Sequence, residues 1–459
     1  MGIVFSLLRC SDYATATPPL DSPSHGDASV GYIDTALNED TLAIIFELFV
    51  FDNRECMFHR SLRAFVLAAV NRRWRAIALS YSRLWTHAFF EMTATNVPTN
   101  PAAWETYFEL VSTRSGRHSL LICCALDGEL DAGQRRTLAA LSRLFHRTSQ
   151  MVIRYYSPNN EGVALGLLHT SMPLLVSLTL EKRTFITEAD PPTAIDDVRR
   201  SQPLDAPLLS KLCWNAPGLP ALASSVAGNL QYLVITLKFP PRSIWQTLYE
   251  AQHVLKELSL TFHVITAIDV PPGEVKLRQL TKLTLAGQAW CILMGGQHRH
   301  LALPNVQHLC LIGYPHLFRR ILLKVTHTLA ELVFCGHWAT TRADFKCLSK
   351  LNLLREIRLH GKTPGPHYLL RFAWYWPNLG TIAFSNHFMC DWRDIWLFSE
   401  ARRKRGLPKP SIAFLCTHPM LASKTLELRA FTEVAIQHKC DRGWDDLPCS
   451  EVMARCRVR

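Results

Sequence analysis

Leu255-Lys256-Glu257-Leu258-Ser259-Leu260 returns 25 residues later as Leu280-Thr281-Lys282-Leu283-Thr284-Leu285, and this spaced recurrence decides the fold. Alternating apolar residues such as Leu258 and Leu260 put both side chains on one face of a short strand. The template L-x-x-L-x-L, with Ile, Val, Phe or Trp allowed, starts at Leu175, Leu209, Leu230, Leu255, Leu280, Val306, Leu329, Leu354 and Leu379. Successive starts differ by 34, 21, 25, 25, 26, 23, 25 and 25 residues. Between them, Ile244, Leu248, Ala251 and Leu255, then Leu317, Ile321, Leu322 and Val325, then Leu369, Phe372 and Trp376 fall at helical spacing. Strand and helix in alternation, at one period, predict a parallel sheet whose repeats each cover the open face of a neighbour. A shorter alternation precedes it: a helix over Ala103 to Val111, a strand from Leu120, a helix from Leu138 to Phe145 and a strand at Met151 to Ile153.

A period near 25 resembles that of leucine-rich repeats. The family's asparagine is missing, its places held by residues such as Arg183, Gln288 and Tyr314. Gly287, Gly313, Gly336 and Gly361 instead stand two residues past the last apolar anchor, which predicts a positive φ or a close approach there. The resemblance implies a solenoid whose concave face carries the residues between the anchors. Tyr232, Val234, Glu257, Ser259, Lys282, Thr284, His308, Cys310, Glu331, Val333, Glu356 and Arg358 are therefore expected to hold a ligand. Their charges nearly cancel and their side chains are small and semi-apolar, which suits a protein partner and not a nucleic acid.

Upstream, Leu37-Asn-Glu-Asp-Thr-Leu42-Ala-Ile-Ile-Phe46 predicts a helix capped by Asn38, with Leu42, Ile45, Phe46 and Phe49 on one face. Leu62, Val66, Val70 and Trp74 recur every four residues and predict a second helix from about Leu62 to Ala78, after a loop over Asp52 to Arg60. Such a small helical core is marginal alone. The stretch, with Val70-Asn-Arg-Arg-Trp74-Arg-Ala-Ile77 and the closing Leu84-Trp85, resembles an F-box of the type abundant in fungal proteins. It departs from that pattern at Asn38, where the family has Pro, and at Asn71, where it has Cys; the second change is expected to weaken a packed position.

The fold expected is α+β: a leader over 1–30, a small all-α F-box-like helical domain over 31–91, a helix/strand segment over 92–170, and an α/β leucine-rich-repeat-like solenoid with a parallel sheet over 171–459. The F-box resemblance implies docking to the Skp-family adaptor of a cullin-based ubiquitin ligase, with Leu37, Leu42, Ile45, Phe46, Val70, Trp74 and Ile77 divided between that contact and the domain's own core. The repeats would then hold a protein substrate for a separate enzyme. The alternative is a non-degradative scaffold built on the same solenoid.

Composition sets the outer limits. The chain has 459 residues, 48% hydrophobic and 10% aromatic, a globular balance with room for two or three domains. Its 14 cysteines are scattered without a Cys-x-x-Cys pair, as in a reduced cytoplasmic or nuclear protein with no metal site; His387 and Cys390 lack a second pair, and Cys440, Cys449 and Cys456 gain no role. No Gly-rich phosphate loop, His-Glu-x-x-His or Gly-x-Ser-x-Gly is present, so neither catalysis nor a cofactor is expected. The formal net charge of +12 comes partly from Arg402-Arg403-Lys404-Arg405, which reads as a nuclear import signal or as a solvated loop. Met1-Gly2-Ile3-Val4-Phe5-Ser6 fits an N-myristoylation pattern, with Cys10 as a second acylation position, and equally a loose apolar start; a membrane partner is expected only if Gly2 is acylated.

Overall fold

The computed structural model describes residues 37–51, 57–92, 101–183, 204–217, 219, 222–241, 243–264, 273–289, 293, 300–313, 318–335, 347–360, 375–384, 392–414 and 434–436. The readings placed on the leader with Gly2 and Cys10, on Gly336 and Gly361, on Leu317, Leu369 and Phe372, on His387 and Cys390, and on Cys440, Cys449 and Cys456 lie outside the described residues. The fold is mixed α/β and built on parallel sheet. It divides into two compact units, Met1–Ala216 with Pro220–Val226, and Pro217–Leu219 with Ala227–Arg459.

The first unit opens with three helices, α1 (Glu39–Val50), α2 (Met57–Val70) and α3 (Arg72–Ser80), and a 3-10 turn at Ser82–Trp85. Asn38 caps α1 as expected, its side chain accepting from Thr41 N at 2.7 Å. The single helix expected from Leu62 to Ala78 is instead two helices broken at Asn71. That residue is fully extended (φ −157°, ψ 178°), and its side chain accepts from Trp74 N at 2.8 Å. Asn71 is thus the N-cap of α3 and not a weakened packing position. The loop expected up to Arg60 is also shorter, because α2 begins at Met57.

Five strands follow: β1 (His87–Met92), β2 (Leu120–Leu126), β3 (Thr148–Tyr155), β4 (Ser177–Lys182) and β5 (Lys211–Asn215). All pair in parallel and in chain order. Parallel neighbours need a crossover, supplied by α4 (Pro101–Arg114), α5 (Ala132–Ser142) and α6 (Glu161–Leu167). Register aligns Phe90 with Cys124, Cys124 with Ile153, Ile153 with Leu180 and Leu180 with Trp214, each at most 1% exposed. The sheet therefore starts at His87, well before the first template match at Leu175. Its early strands carry Ala88, Cys124 and Met151 at anchor positions, residue types that the template does not allow.

The second unit repeats the arrangement through β6 (Tyr232–Leu237), β7 (Glu257–Phe262), β9 (Lys282–Gly287), β11 (His308–Ile312), β12 (Glu331–Cys335), β13 (Glu356–His360), β14 (Thr381–Phe384), β15 (Ser411–Phe414) and β16 (Val434–Ile436). Two short strands, β8 (Val275–Lys276) and β10 (Leu301–Ala302), pair separately. Leu233, Leu258, Leu283, Leu309, Leu332, Ile357, Ile382 and Ile412 form one continuous file of aligned, buried anchors. Each such side chain contributes about 1.5–3 kcal/mol by leaving water.

Helices α7 (Ile244–Ala251) and α8 (Phe318–Val325) bury the expected stripes Ile244, Leu248, Ala251 and Ile321, Leu322, Val325. Gly287 has φ +58°, and Gln288 N donates to Phe262 O at 2.6 Å, drawing the two strands so close that a Cβ on Gly287 would lie 2.2 Å from that oxygen. Gly313 has φ +104°. The helix expected to include Trp376 does not: that residue is left-handed (φ 58°) and its indole Nε1 donates to Leu348 O at 2.7 Å.

Candidate protein-docking surfaces

In the three-helix stretch, Leu42, Phe46 and Val50 at i, i+4 and i+8 are buried. Ala64, Phe65, Leu67, Ile77, Ala78, Leu84 and Trp85 of the same stretch are buried as well. The Phe46 and Trp74 rings sit 4.8 Å apart and those of Phe65 and Trp85 5.0 Å, edge to face. The Arg-Arg-Trp-Arg run is a set of clasps: Arg73 Nη2 donates to Leu37 O at 2.5 Å and Arg75 Nε to Ala68 O at 2.8 Å. Glu47 accepts from Tyr81 Oη and pairs with Arg83 Nη2, each at 2.8 Å. The hydrogen bond to Glu47 is the main reason the Tyr81 hydroxyl titrates above its ordinary value.

With the core placed, the seven expected adaptor residues divide. Leu42, Phe46 and Ile77 are interior and cannot touch a partner, because the small core consumes them. Leu37 and Trp74 are half-buried, while Ile45 and Val70 face solvent. The expected stripe on α2 is also inverted. Arg63, Ala64, Phe65 and Leu67 are buried, whereas Val66 and Val70 are exposed, because Phe65 packs on Trp85 and Tyr107 and turns the helix accordingly. Ile44, Leu48 and Phe49 join the exposed group, with Leu48 at 70%, Ile44 at 58% and Val70 at 54%. The two helices carrying these side chains touch where the Arg63 guanidinium lies 4.6 Å from the Phe49 ring centroid and donates to Phe49 O. Ile44 and Leu48 escaped the sequence reading, though each is an aliphatic residue off the buried i, i+4, i+8 file.

The strand face opposite the anchors in the second unit carries ion pairs and a histidine–carboxylate contact. Lys282 Nζ lies 3.3 Å from Glu257 Oε2, His308 Nδ1 lies 2.8 Å from Glu331 Oε2, and Arg358 reaches Glu331 at 3.3 Å and Glu356 at 2.7 Å. Burial alone would lower the Arg358 pKa; the hydrogen bond to Glu356 and the charges of Glu331 and Glu356 outweigh it and raise it.

Tyr232, Val234, Glu257, Ser259, Lys282, Glu331, Glu356 and Arg358 are half-buried and His308 is exposed. Thr284, Cys310 and Val333, expected on the binding face, are buried. Cys310 and Val333 belong to an apolar cluster with Ala286, Ile312 and Cys335. Burial pushes the Cys310 thiol well up, as does its hydrogen bond with Cys335. The correction is physical: alternation fixes which face a residue takes, not whether that face is covered. In the first unit the corresponding face carries Glu181 between two guanidiniums, Arg154 Nε at 3.0 Å and Arg183 Nε at 3.1 Å.

Among the described residues no group of His, Cys, Asp and Glu is placed to hold a metal ion, and no helix is long and apolar enough to cross a membrane. The chain matches no protein-family model and no curated protein.

Proposed function

We propose that this chain is a substrate-recognition adaptor of a Skp–cullin–F-box type ubiquitin ligase. The exposed aliphatic side chains of α1 and α2 dock on the Skp-family adaptor, and the strand face of the repeats holds a protein substrate. The observation that carries the reading is Leu48, Ile44, Ile45, Val66 and Val70 lying open on two short helices in the stretch that resembles an F-box. Grouped exposed aliphatics of this kind mark interaction surfaces in soluble proteins. In this role the chain performs no covalent step; it raises the local concentration of substrate lysines near a loaded conjugating enzyme.

The test is co-purification of the full chain with the Skp-family adaptor, followed by ubiquitin transfer to proteins captured by the repeats. Stable capture together with transfer supports the ligase role. Adaptor binding without transfer to any captured protein favours the non-degradative scaffold, and a folded chain that ignores the adaptor overturns the reading.

A further inference from the structure

The cations behind the net charge of +12 are not equally free. Arg402 is fully buried, its Nη1 donating to Tyr375 O at 3.0 Å and Trp376 O at 3.2 Å, and Arg403 pairs with Glu400 at 2.6 Å. The run Arg402-Arg403-Lys404-Arg405 is therefore no solvated loop. A freer group lies in the first unit. In a parallel sheet every strand is entered from the same edge. The segments entering β1 to β4 are residues 81–86, 113–119, 143–147 and 168–176. They contain Arg83, Arg114, Arg117, Arg143, Arg147 and three histidines, and no Asp or Glu. Asp205, before β5, is the first carboxylate in these entering segments, and it accepts from Ser171 Oγ at 2.5 Å.

Contacts join the segments. Arg147 Nη1 donates to Ser112 O at 3.1 Å, and its Nη2 to Ser115 Oγ and His118 O, each at 2.9 Å. This clamps the turn carrying Arg114, Arg117 and His118 to the turn carrying Arg143 and His146. Gly116, at φ +57°, stands where a Cβ would lie 4.0 Å from Ser82 Cβ, beside Arg83. Glu47 neutralises Arg83, but the side chains of Arg114, Arg117, His118 and Arg143 are exposed and have no polar or ionic partner among the described residues. The macrodipole accounts for Arg114 and Arg143 at the C-terminal ends of α4 and α5; Arg117 and His118 lie beyond the last turn of α4.

The complementary charge lies in the chain itself. Residues 11–36 hold Asp12, Asp21, Asp27 and Asp34 and no Lys, Arg or Glu, and they precede the described residues, which begin at Leu37. Leu37 O accepts from Arg73 Nη2 at 2.5 Å, which fixes where the segment joins the fold. From there α1 runs to Glu47, about 12–15 Å at 1.5 Å per residue, and Glu47 meets Arg83 at the start of the basic edge. A flexible chain of the length from Asp21 to Leu37 averages about 20–24 Å end to end and reaches at most about 55 Å, so the edge is within range.

We propose that residues 11–36 lie on this basic edge, their aspartates against Arg114, Arg117 and Arg143, and so compete with external anions for it. Every fixed positive charge in the entering segments is an arginine, whose planar fork takes a carboxylate on two hydrogen bonds. The proposal does not rest on the adaptor reading; it uses only charges of the first unit.

The test uses the full chain, a full-chain variant carrying Asp12→Asn, Asp21→Asn, Asp27→Asn and Asp34→Asn, and a fluorescein-labelled peptide with the sequence of residues 11–36. Binding is read by fluorescence polarisation at low salt, with folding checked by circular dichroism. A tethered segment acts at about millimolar effective concentration, so at a site of about 100 µM affinity it weakens an added copy about tenfold. The four-Asn chain should therefore bind the peptide about tenfold more tightly than the parent. Arg117→Ala/Arg143→Ala in the four-Asn chain should remove that gain, and Arg136→Ala, an exposed cation near the other end of α5, should leave it. Equal binding by the parent and the four-Asn chain would show an edge open to outside partners and overturn the proposal. So would no binding by the four-Asn chain, or a gain that survives Arg117→Ala/Arg143→Ala or is lost equally with Arg136→Ala.

Discussion

In β7, Leu258 and Leu260 are 2% and 0% exposed, whereas in α1 Ile44 and Leu48 are 58% and 70% exposed. Both regions are rich in aliphatic residues, yet one hides nearly all of them and the other hides only one file. The repeats can do so because a strand such as β7 has a neighbour on each side with anchors in register with its own. α1 encloses Leu42, Phe46 and Val50, whereas Ile44, Ile45 and Leu48 on the same helix stay 58%, 41% and 70% exposed. Identical side-chain chemistry therefore serves stability in one place and, in the proposed role, recognition in the other.

That contrast breaks most sharply under truncation. Leu258→Ala should cost about 2–5 kcal/mol in urea unfolding, because it opens a cavity in a closed file. Leu48→Ala should stay within about 0.5 kcal/mol of the parent, as befits an exposed position. A large loss at Leu48 would make it core and remove the contrast.

Gly287→Ala should destabilise by about 1–3 kcal/mol, since φ +58° and the Phe262 carbonyl both oppose a Cβ, and thermal unfolding would show it. Asn71→Ala should cost about 1 kcal/mol by removing the cap that separates α2 from α3, with the loss seen as faster amide exchange in α3. The charge ladder also contributes little. Arg358→Met should change stability by about 1 kcal/mol or less, and added salt should shrink the difference.

The sequence reveals each region to a different depth. The anchors of the repeats were legible because the template starts from Leu230 to Leu379 recur every 23–26 residues, and all nine starts from Leu175 to Leu379 are buried. The break at Asn71 was not legible, because Leu62, Val66, Val70 and Trp74 keep helical spacing straight through it. Only the extended backbone of Asn71 and its bond to Trp74 N show that the spacing continues across two helices. Within α1, Ile45 and Phe46 are adjacent and similarly apolar, yet one faces solvent and the other is interior. Their separation depends on where Phe65, Trp85 and Trp74 sit, and that is tertiary information. The left-handed Trp376 was invisible for the same reason: the Arg402 side chain that holds its carbonyl comes from 26 residues away.

The most direct test of the account is calorimetric titration of the Skp-family adaptor into the full chain and into Leu48→Asp/Val70→Asp, with unfolding midpoints measured beside it. The account predicts that the parent binds, and that the variant keeps its fold while losing affinity by about two orders of magnitude or more, as removal of two central aliphatic contacts implies. Equal affinity in a folded variant, or no binding by the folded parent, would contradict it.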